Sequence, residues 1–545
     1  MLNKYKIKSY KYVFERLFEN NELKNGSILS GAAISSILGS NLPLGKELLD
    51  SGINSVLKDS NLKRYRTKLK QKKSFQKLTP ENVFELIIQN FGNDFLSFFD
   101  ILKYANPNSL HKTLSEFINS NYFNFYTTNF DLLVDIFCNS KDDVIHIHGS
   151  LEDKSSLSVT LRTIAKGISL KHYREFKEKS LNKSLLVIGY SGNDKDVIEL
   201  INESSFKNIY WMIYDIKNEW ELQNISNINK KIILFEGDLI RFDKDLKSLF
   251  NLKHNLEDVI SKRKISINKK QIIKSFNYAT IDQLKFLIAV YNSIGAYESV
   301  IEICSKFKNK IVSVSQQQYL LNCLCAAQRA IGSSFSSASY YANQAIKLYN
   351  LSGYSKFEYI MSLNLKGLIF LEKKRSSPKD ALKTFLDLEL LTNEEEWKLA
   401  FKDEIQIKSF KGRLFNNIGL CYMELKSFSQ SQKYFEDAIT SKRENGDLLS
   451  EIITLCNLCV NDLYFLKKEK KIVIDRLFFL FVKYENDVLP QIAYYYRRTG
   501  MVNCKIGNIK VGIKRLKKSI AIYKKLERTD FDDLLIKEYI DKYGA

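Results

Sequence analysis

Six short apolar runs bounded by turn residues fall within the first 240 or so positions: Ser27 to Ser30, Tyr122 to Tyr126, Val144 to His148, Leu185 to Ile188, Ile209 to Tyr214 and Ile232 to Phe235. Helical patterns lie between them. Strands alternating with helices build a parallel sheet, because a parallel neighbour is reached only through a crossover long enough to hold a helix. Between the first two runs, from about residue 55 to 120, lies a helical insertion. In it Val83, Phe84, Leu86 and Ile87, and then Phe95, Leu96, Phe98, Phe99 and Ile101, recur at helix-like spacing. Its place in the chain suits a cover over the cleft.

Beyond Phe250 strand-like runs largely cease and long amphipathic helices follow one another, so a second, all-α domain is expected. The basic stretch Ser261-Lys262-Arg263-Lys264 is the natural junction, giving expected domains of 1–260 and 265–545. A helix-turn-helix pattern recurs here, clearest at Asn417 to Tyr422 followed by Ser431, Phe435 and Ala438. It resembles tetratricopeptide repeats, in which small residues let two helices approach and aromatics fill the gap. Weaker copies are Tyr291-Gly295-Val300, Ala326 with Ala338, Ala342 and Ala345, Gly367-Phe370 with Ala381 and Phe385, and Gly500 with Gly512, Leu516 and Ser519. The small positions 326, 367, 419 and 500 lie 41, 52 and 81 residues apart, and the last interval leaves room for a further hairpin around Cys456 to Phe465. The reading is a degenerate solenoid offering a surface to a peptide or protein. A helical domain that merely scaffolds or dimerises is the alternative.

With 83 Lys plus Arg against 62 Asp plus Glu, the formal charge is +21, which raises the question of a polyanionic partner. The basic residues are spread throughout, without interleaved glycines and aromatics, so specific nucleic-acid binding is not expected. Eight scattered cysteines form no disulfide framework. Cys456 and Cys459 make one CxxC with no second pair at zinc-ribbon spacing, and i, i+3 on a helix is also one buried face. Apolar stretches such as Leu477 to Val482 fall well short of the roughly 18 residues that span a bilayer, and Met1 to Tyr10 lacks an apolar signal core. A cytoplasmic protein without membrane segments is expected.

Three strand ends carry the polar residues. Gly31-Ala32-Ala33-Ile34-Ser35 follows the first strand, where an α/β fold presents backbone N–H groups to a phosphate, although the same small residues also make a tight turn. Tyr126 to Asp131 places Thr128, Asn129 and Asp131 at the carboxyl edge of the sheet, where ligands bind. Val144 to Ser150 is a strand ending in His-Gly, and alternation puts His146 and His148 on one face. Such a pair suits a metal, but no further ligands accompany it. Leu185 to Ile188 runs into Gly189-Tyr190-Ser191-Gly192-Asn193-Asp194, a loop able to bond ribose hydroxyls or an ordinary strand exit with Asp194 capping the next helix, Val197 to Asn202.

In this order and spacing, the chain from about residue 20 to 250 resembles the sirtuin family, and more closely its bacterial defence-associated branch than the protein deacetylases. The resemblance rests on Gly31 to Ser35, Leu42-Pro43, Thr127-Thr128-Asn129 with Asp131, His148-Gly149-Ser150, and Gly189, Ser191 and Asp194. It implies a Rossmann-like fold in which these residues surround NAD. The pyrophosphate would lie at Gly31, Ala32, Ala33 and Ser35, with Pro43 nearby. The nicotinamide ribose would meet Thr128, Asn129 and Asp131, and the adenosine side Gly189, Ser191 and Asp194. Asn129, His148 and Asp131 would be the catalytic residues.

Two positions depart from the family pattern. Ala33 stands where glycine is common, so that its methyl narrows the approach to the pyrophosphate, and Asn41 replaces a glycine before Leu42-Pro43. Asn is the non-Gly residue best able to adopt positive φ. Deacetylating sirtuins carry a four-cysteine zinc module after the catalytic His, yet no Cys occurs between Cys138 and Cys304. The resemblance therefore implies an NAD glycohydrolase with NAD as substrate and no metal. It also implies an antiphage abortive-infection role, in which the repeat domain senses a phage protein or other protein trigger and the chain forms a homo-oligomer. The alternatives are a non-enzymatic NAD- or peptide-binding regulator, and a zinc-free deacylase or ADP-ribosyltransferase.

Overall fold

The computed structural model describes residues 5–37, 39–215, 217, 222, 224–226, 228–253, 276, 278–309, 313–332, 335–371, 377–526 and 531–543. The junction expected at Ser261 to Lys264 lies outside them. The chain forms two units, one of Met1–Lys58 with Val83–Tyr278 and the other of Asp59–Asn82 with Ala279–Ala545.

The first unit is built on seven parallel strands: β1 (Lys6–Ile7), β2 (Ser27–Ser30), β3 (Asn124–Thr127), β4 (Val144–His146), β5 (Ser184–Ile188), β6 (Asn208–Ile213) and β7 (Ile232–Glu236), in the order β1-β7-β6-β5-β2-β3-β4. This is the Rossmann-like parallel sheet. Successive residues alternate between two apolar layers, as the pleat requires. Ile28, Phe125, Leu186 and Tyr210 pack with Val13, Leu17, Leu114 and Phe242 on one face, whereas Leu29, Tyr126, Val187 and Trp211 meet Phe176, Val197 and Ile201 on the other.

Six of the strands coincide with the apolar runs to within a few residues. β1 has only two residues, both exposed, and so lacks the apolar signature of a strand. β4 ends at His146, which corrects the expectation of a strand reaching His148. The Phe95 to Ile101 segment is a 3₁₀ helix, Asn93–Tyr104, rather than an α-helix. Its Phe95, Phe98 and Phe99 are buried, and the Phe99 ring meets the edge of Phe130 with centroids 5.9 Å apart.

The second unit is entirely helical among the described residues. Its hairpins pair Thr280–Ser293 with Tyr297–Phe307, Val314–Ile331 with Phe335–Lys347, Lys356–Phe370 with Pro378–Asn393, Glu404–Glu424 with Phe428–Glu444, Leu448–Leu466 with Lys471–Lys483, and Glu485–Lys505 with Ile509–Lys525. The extra helix Glu395–Lys398 lengthens the interval between Gly367 and Gly419. Part of the predicted insertion belongs to this unit: the helix Lys63–Gln71 packs on Thr280–Ser293, and the Tyr291 hydroxyl donates to the Tyr65 carbonyl at 2.7 Å.

Leu448–Leu466 is long and apolar enough by composition to cross a membrane, which corrects the reading that every apolar stretch is too short, but it is mostly buried within the unit. Its polar residues explain the difference, since they bond inside the core. Asn457 donates to Asn416 Oδ1 at 2.9 Å and accepts from the Tyr494 hydroxyl at 2.8 Å.

The small-against-aromatic logic is explicit in the hairpins. A Cβ on Gly419 would stand 2.8 Å from the fully buried Phe435 ring, and one on Gly367 would stand 2.6 Å from the Phe385 ring. Gly419→Ala is accordingly expected to destabilise the helical unit by about 1–3 kcal/mol through overpacking, seen as a lower urea midpoint for its unfolding transition.

Candidate functional site

The site begins where the strand order reverses. From β2 the chain continues outward to β3 and β4, and from β5 it continues the other way to β6 and β7, so the carboxyl ends of β2 and β5 form the switch point, the place where open α/β sheets bind ligands. Gly31 leaves β2 and Gly189 leaves β5. A Cβ on Gly31 would lie 2.7 Å from both the Gly189 carbonyl oxygen and Tyr190 Cα, and Gly189 itself has φ +61°. The two loops therefore approach as closely as backbones can.

This closeness uses up amides. Gly31 N–H donates to Ile188, Ala33 to Gly189, Ile34 to Gly31 and Ser35 to Ala32, leaving exposed Ala32 with the remaining amide of the segment. The turn reading and the phosphate reading of Gly31 to Ser35 thus share one backbone. Asn41 adopts φ +50°, in the region where a glycine was replaced. Leu42 N–H returns to the Ser35 carbonyl at 2.9 Å and sets half-buried Pro43 beside that turn.

Ser35 is the hub. His111 Nδ1 accepts the Asn108 N–H at 3.0 Å, so the proton of the neutral ring is on Nε2 and is donated to Ser35 Oγ at 3.1 Å. Complete burial pushes the His111 pKa down to about 3, which keeps it neutral. Asn129 Nδ2 donates to the same oxygen at 3.1 Å, and Ser35 lies near enough to the Asp131 carboxyl to favour its charged form. Burial raises the Asp131 pKa, against the lowering effect of bonds from the Leu133 N–H and Ser35.

Asn129 is held on its main chain as well. Its N–H donates to Thr127 Oγ1 at 3.1 Å, and its carbonyl lies 2.8 Å from His146 Nδ1. Thr128 is half-buried, with its N–H on the Ser30 carbonyl at 3.1 Å. Asn129 Oδ1 is buried and has no hydrogen-bond partner. An orphaned acceptor of this kind at the carboxyl edge of a sheet fits a ligand hydroxyl.

A second network surrounds His148, which sits in the turn after β4. Its Nε2 lies 3.1 Å from Asp196 Oδ2. The carboxylate fixes Nε2 as the protonated nitrogen and makes Nδ1 the basic one in the neutral ring. The following Gly149 is obligatory, with φ +80° and no space for a Cβ against the Ser156 carbonyl. His146 and His148 therefore face different partners and do not act as a pair. Among the described residues no group of three or more His, Cys, Asp or Glu could hold a metal.

Asp194 does not cap Lys195–Glu203 with its side chain, contrary to the capping reading. Its N–H donates to the Tyr190 hydroxyl at 3.2 Å, and burial raises its carboxyl pKa against the opposing influence of His148. Half-buried Ser191 accepts from Asn224 Nδ2 at its carbonyl, 3.4 Å away.

Sequence reasoning missed His111, Asn108, Asp135 and Asp196. Asn108-x-x-His111 is a capping box at the start of Ser109–Asn119, and this was the one local signal available. Asp196 is only two residues beyond the motif, but nothing local marks it.

A model of the SIR2-like domain matches residues 138–218, and a tetratricopeptide repeat model matches residues 412–445. The N-terminal region is thus sirtuin-like and the C-terminal region tetratricopeptide-like. The first match includes His148, Gly189, Ser191, Asp194 and Asp196, whereas Gly31 to Ser35, Asn129 and Asp131 precede it. No curated protein matches the chain. Among solved structures, the chain is similar to BtubC (BKLC) from P. vanneervenii at 12% identity, over 43% of this chain and 91% of that one, with a TM-score of 0.27.

The sirtuin-like domain supports an NAD-related function, and the repeat supports a role in protein–protein interaction.

Proposed function

We propose that the protein is an NAD glycohydrolase that releases nicotinamide and ADP-ribose. The observation that carries this reading is the orphaned Oδ1 of Asn129, on an amide fixed by Ser35, near the switch point of a sirtuin-like sheet. NAD supplies a cationic pyridinium whose nicotinamide departs neutral, so bond cleavage requires no general acid. Asn129 Oδ1 accepts a ribose hydroxyl and orients the sugar. His148, steadied by Asp196, takes a proton from a ribose hydroxyl or from the attacking water at Nδ1. Asp131, near Ser35, gives orienting or electrostatic support to an oxocarbenium-like transition state. Ala32 and the Ser35 turn are the contacts for the pyrophosphate, with Ala33 and Pro43 beside them. Gly189, Ser191 and Asp194 serve the adenosine side.

On this reading the helical unit binds a protein trigger, a phage component, and the chain works as a cytoplasmic homo-oligomer that depletes NAD in antiphage defence. A second reading, a regulator that binds NAD or a peptide without turnover, draws support from the four loop amides already spent within the protein.

The test is nicotinamide release by the purified full chain, with and without an acyl-lysine peptide, and in lysate of phage-infected against uninfected cells. Turnover without peptide and unaffected by chelators is expected. Binding without turnover in every condition favours the regulator, and strict peptide dependence favours a deacylase.

A further inference from the structure

His146 lies outside the residues assigned to catalysis, yet it is buried between two groups of one kind. Nδ1 stands 2.8 Å from the Asn129 carbonyl oxygen and Nε2 stands 3.1 Å from Asp135 Oδ1. A carbonyl can only accept, so Nδ1 carries a proton. In a neutral ring Nε2 would then present its lone pair to a largely buried carboxylate. A proton shared between a carboxyl and an imidazole resides on the imidazole, the stronger base by more than about two pKa units in ordinary surroundings. Both nitrogens are therefore donors.

We infer that His146 is an imidazolium clamp between Asp135 and the Asn129 main chain, a positioning residue that holds Asn129 for the reaction proposed above. It rests on that reading for its catalytic consequence, but not for its protonation state.

The surroundings agree. Burial opposes the charge, but the bond and the charge of Asp135, the Asn129 carbonyl and the nearby Asp131 outweigh it, and the His146 pKa is raised. On the Leu170–Lys179 helix, His172 feels the charge of His146: burial lowers its own pKa, with Lys171 and His146 adding to the effect against Glu175. Asn129 is thus fixed at three points: its N–H by Thr127, its carbonyl by His146 and its amide by Ser35. The sign of the pH dependence follows. The imidazolium is present below the raised pKa and is lost as pH climbs through it, so one of the two bonds fails and turnover falls on the alkaline side.

The chain has five histidines, few enough to resolve by NMR of the full-length protein carrying ¹⁵N-labelled histidine, with His146→Gln identifying the resonance. The expected result is a ring protonated on both nitrogens at pH 7. In Asp135→Asn its titration should move down by about a pH unit or more. The alkaline limb of nicotinamide release should shift by the same amount, with kcat affected more than the KM for NAD. A merely structural role would lower activity at all pH values without moving the limb.

A neutral ring at pH 7 in the wild-type chain overturns the inference, and that measurement needs no variant if Asp135→Asn fails to fold. A limb that stays in place while the NMR titration moves overturns the positioning role. If the wild type releases no nicotinamide, the glycohydrolase reading fails, while the NMR titration still decides the clamp.

Discussion

Asn129→Ala is expected to reduce nicotinamide release at least about a hundredfold, with the fold retained. The amide oxygen is a buried acceptor without a partner, and the rest of the side chain is spent on one bond to Ser35. Truncation therefore removes the group offered to the ribose. Losing a preorganised contact at the transition state typically costs about two to three powers of ten. The structural cost is small by comparison: Ser35 keeps its bond from His111, and one neutral hydrogen bond contributes about 1 kcal/mol. Single-turnover nicotinamide release, measured beside the thermal unfolding midpoint, separates the two effects. Wild-type turnover in this variant would remove Asn129 from the catalytic set.

His148→Gln is expected to show a loss of at least about a hundredfold for a different reason. Glutamine still offers an N–H toward Asp196, but its amide cannot take up a proton at neutral pH, so the variant deletes the base while sparing the packing. General bases contribute about 10²–10⁴ in rate. Asp196→Asn should cost less, about tenfold, since the imidazole stays and only its tautomer and orientation loosen. The check is the pH–rate profile of kcat/KM for NAD. If the His148→Gln variant and the wild type gave the same profile, the base would lie elsewhere.

Particular elements show how much of this was legible. β2, Ser27–Ser30, is marked by a short apolar core followed at once by small residues, because a strand buried on both faces has little latitude in composition. The helical hairpins were legible for a related reason: a glycine facing a phenylalanine, as at Gly419 and Phe435, is a packing requirement written into two nearby segments. β1 escaped because two exposed residues at a sheet edge carry no pattern. The end of β4 was misread because Ile147 continues the alternation even though His148 already lies in the turn.

The sequence by itself determined the two-part architecture, the strand ends that carry polar residues, and Asn129, Asp131 and His148 as the candidates for chemistry. The first two depend on periodicity and on residue types adjacent in the chain, and the choice of Asn129, Asp131 and His148 among the strand-end residues on the resemblance to the sirtuin family. Tertiary structure alone decided the partners. His111 reaches Ser35 across 76 residues and Asp196 reaches His148 across 48, through crossovers whose lengths say nothing about which side chains will meet. It also decided charge. His111 and His146 are the same residue type, yet one is kept neutral by complete burial beside a backbone donor, while the other is held between a carbonyl and a carboxylate. A protonation state is set by the groups that surround a ring in three dimensions, and no local stretch of sequence contains that information.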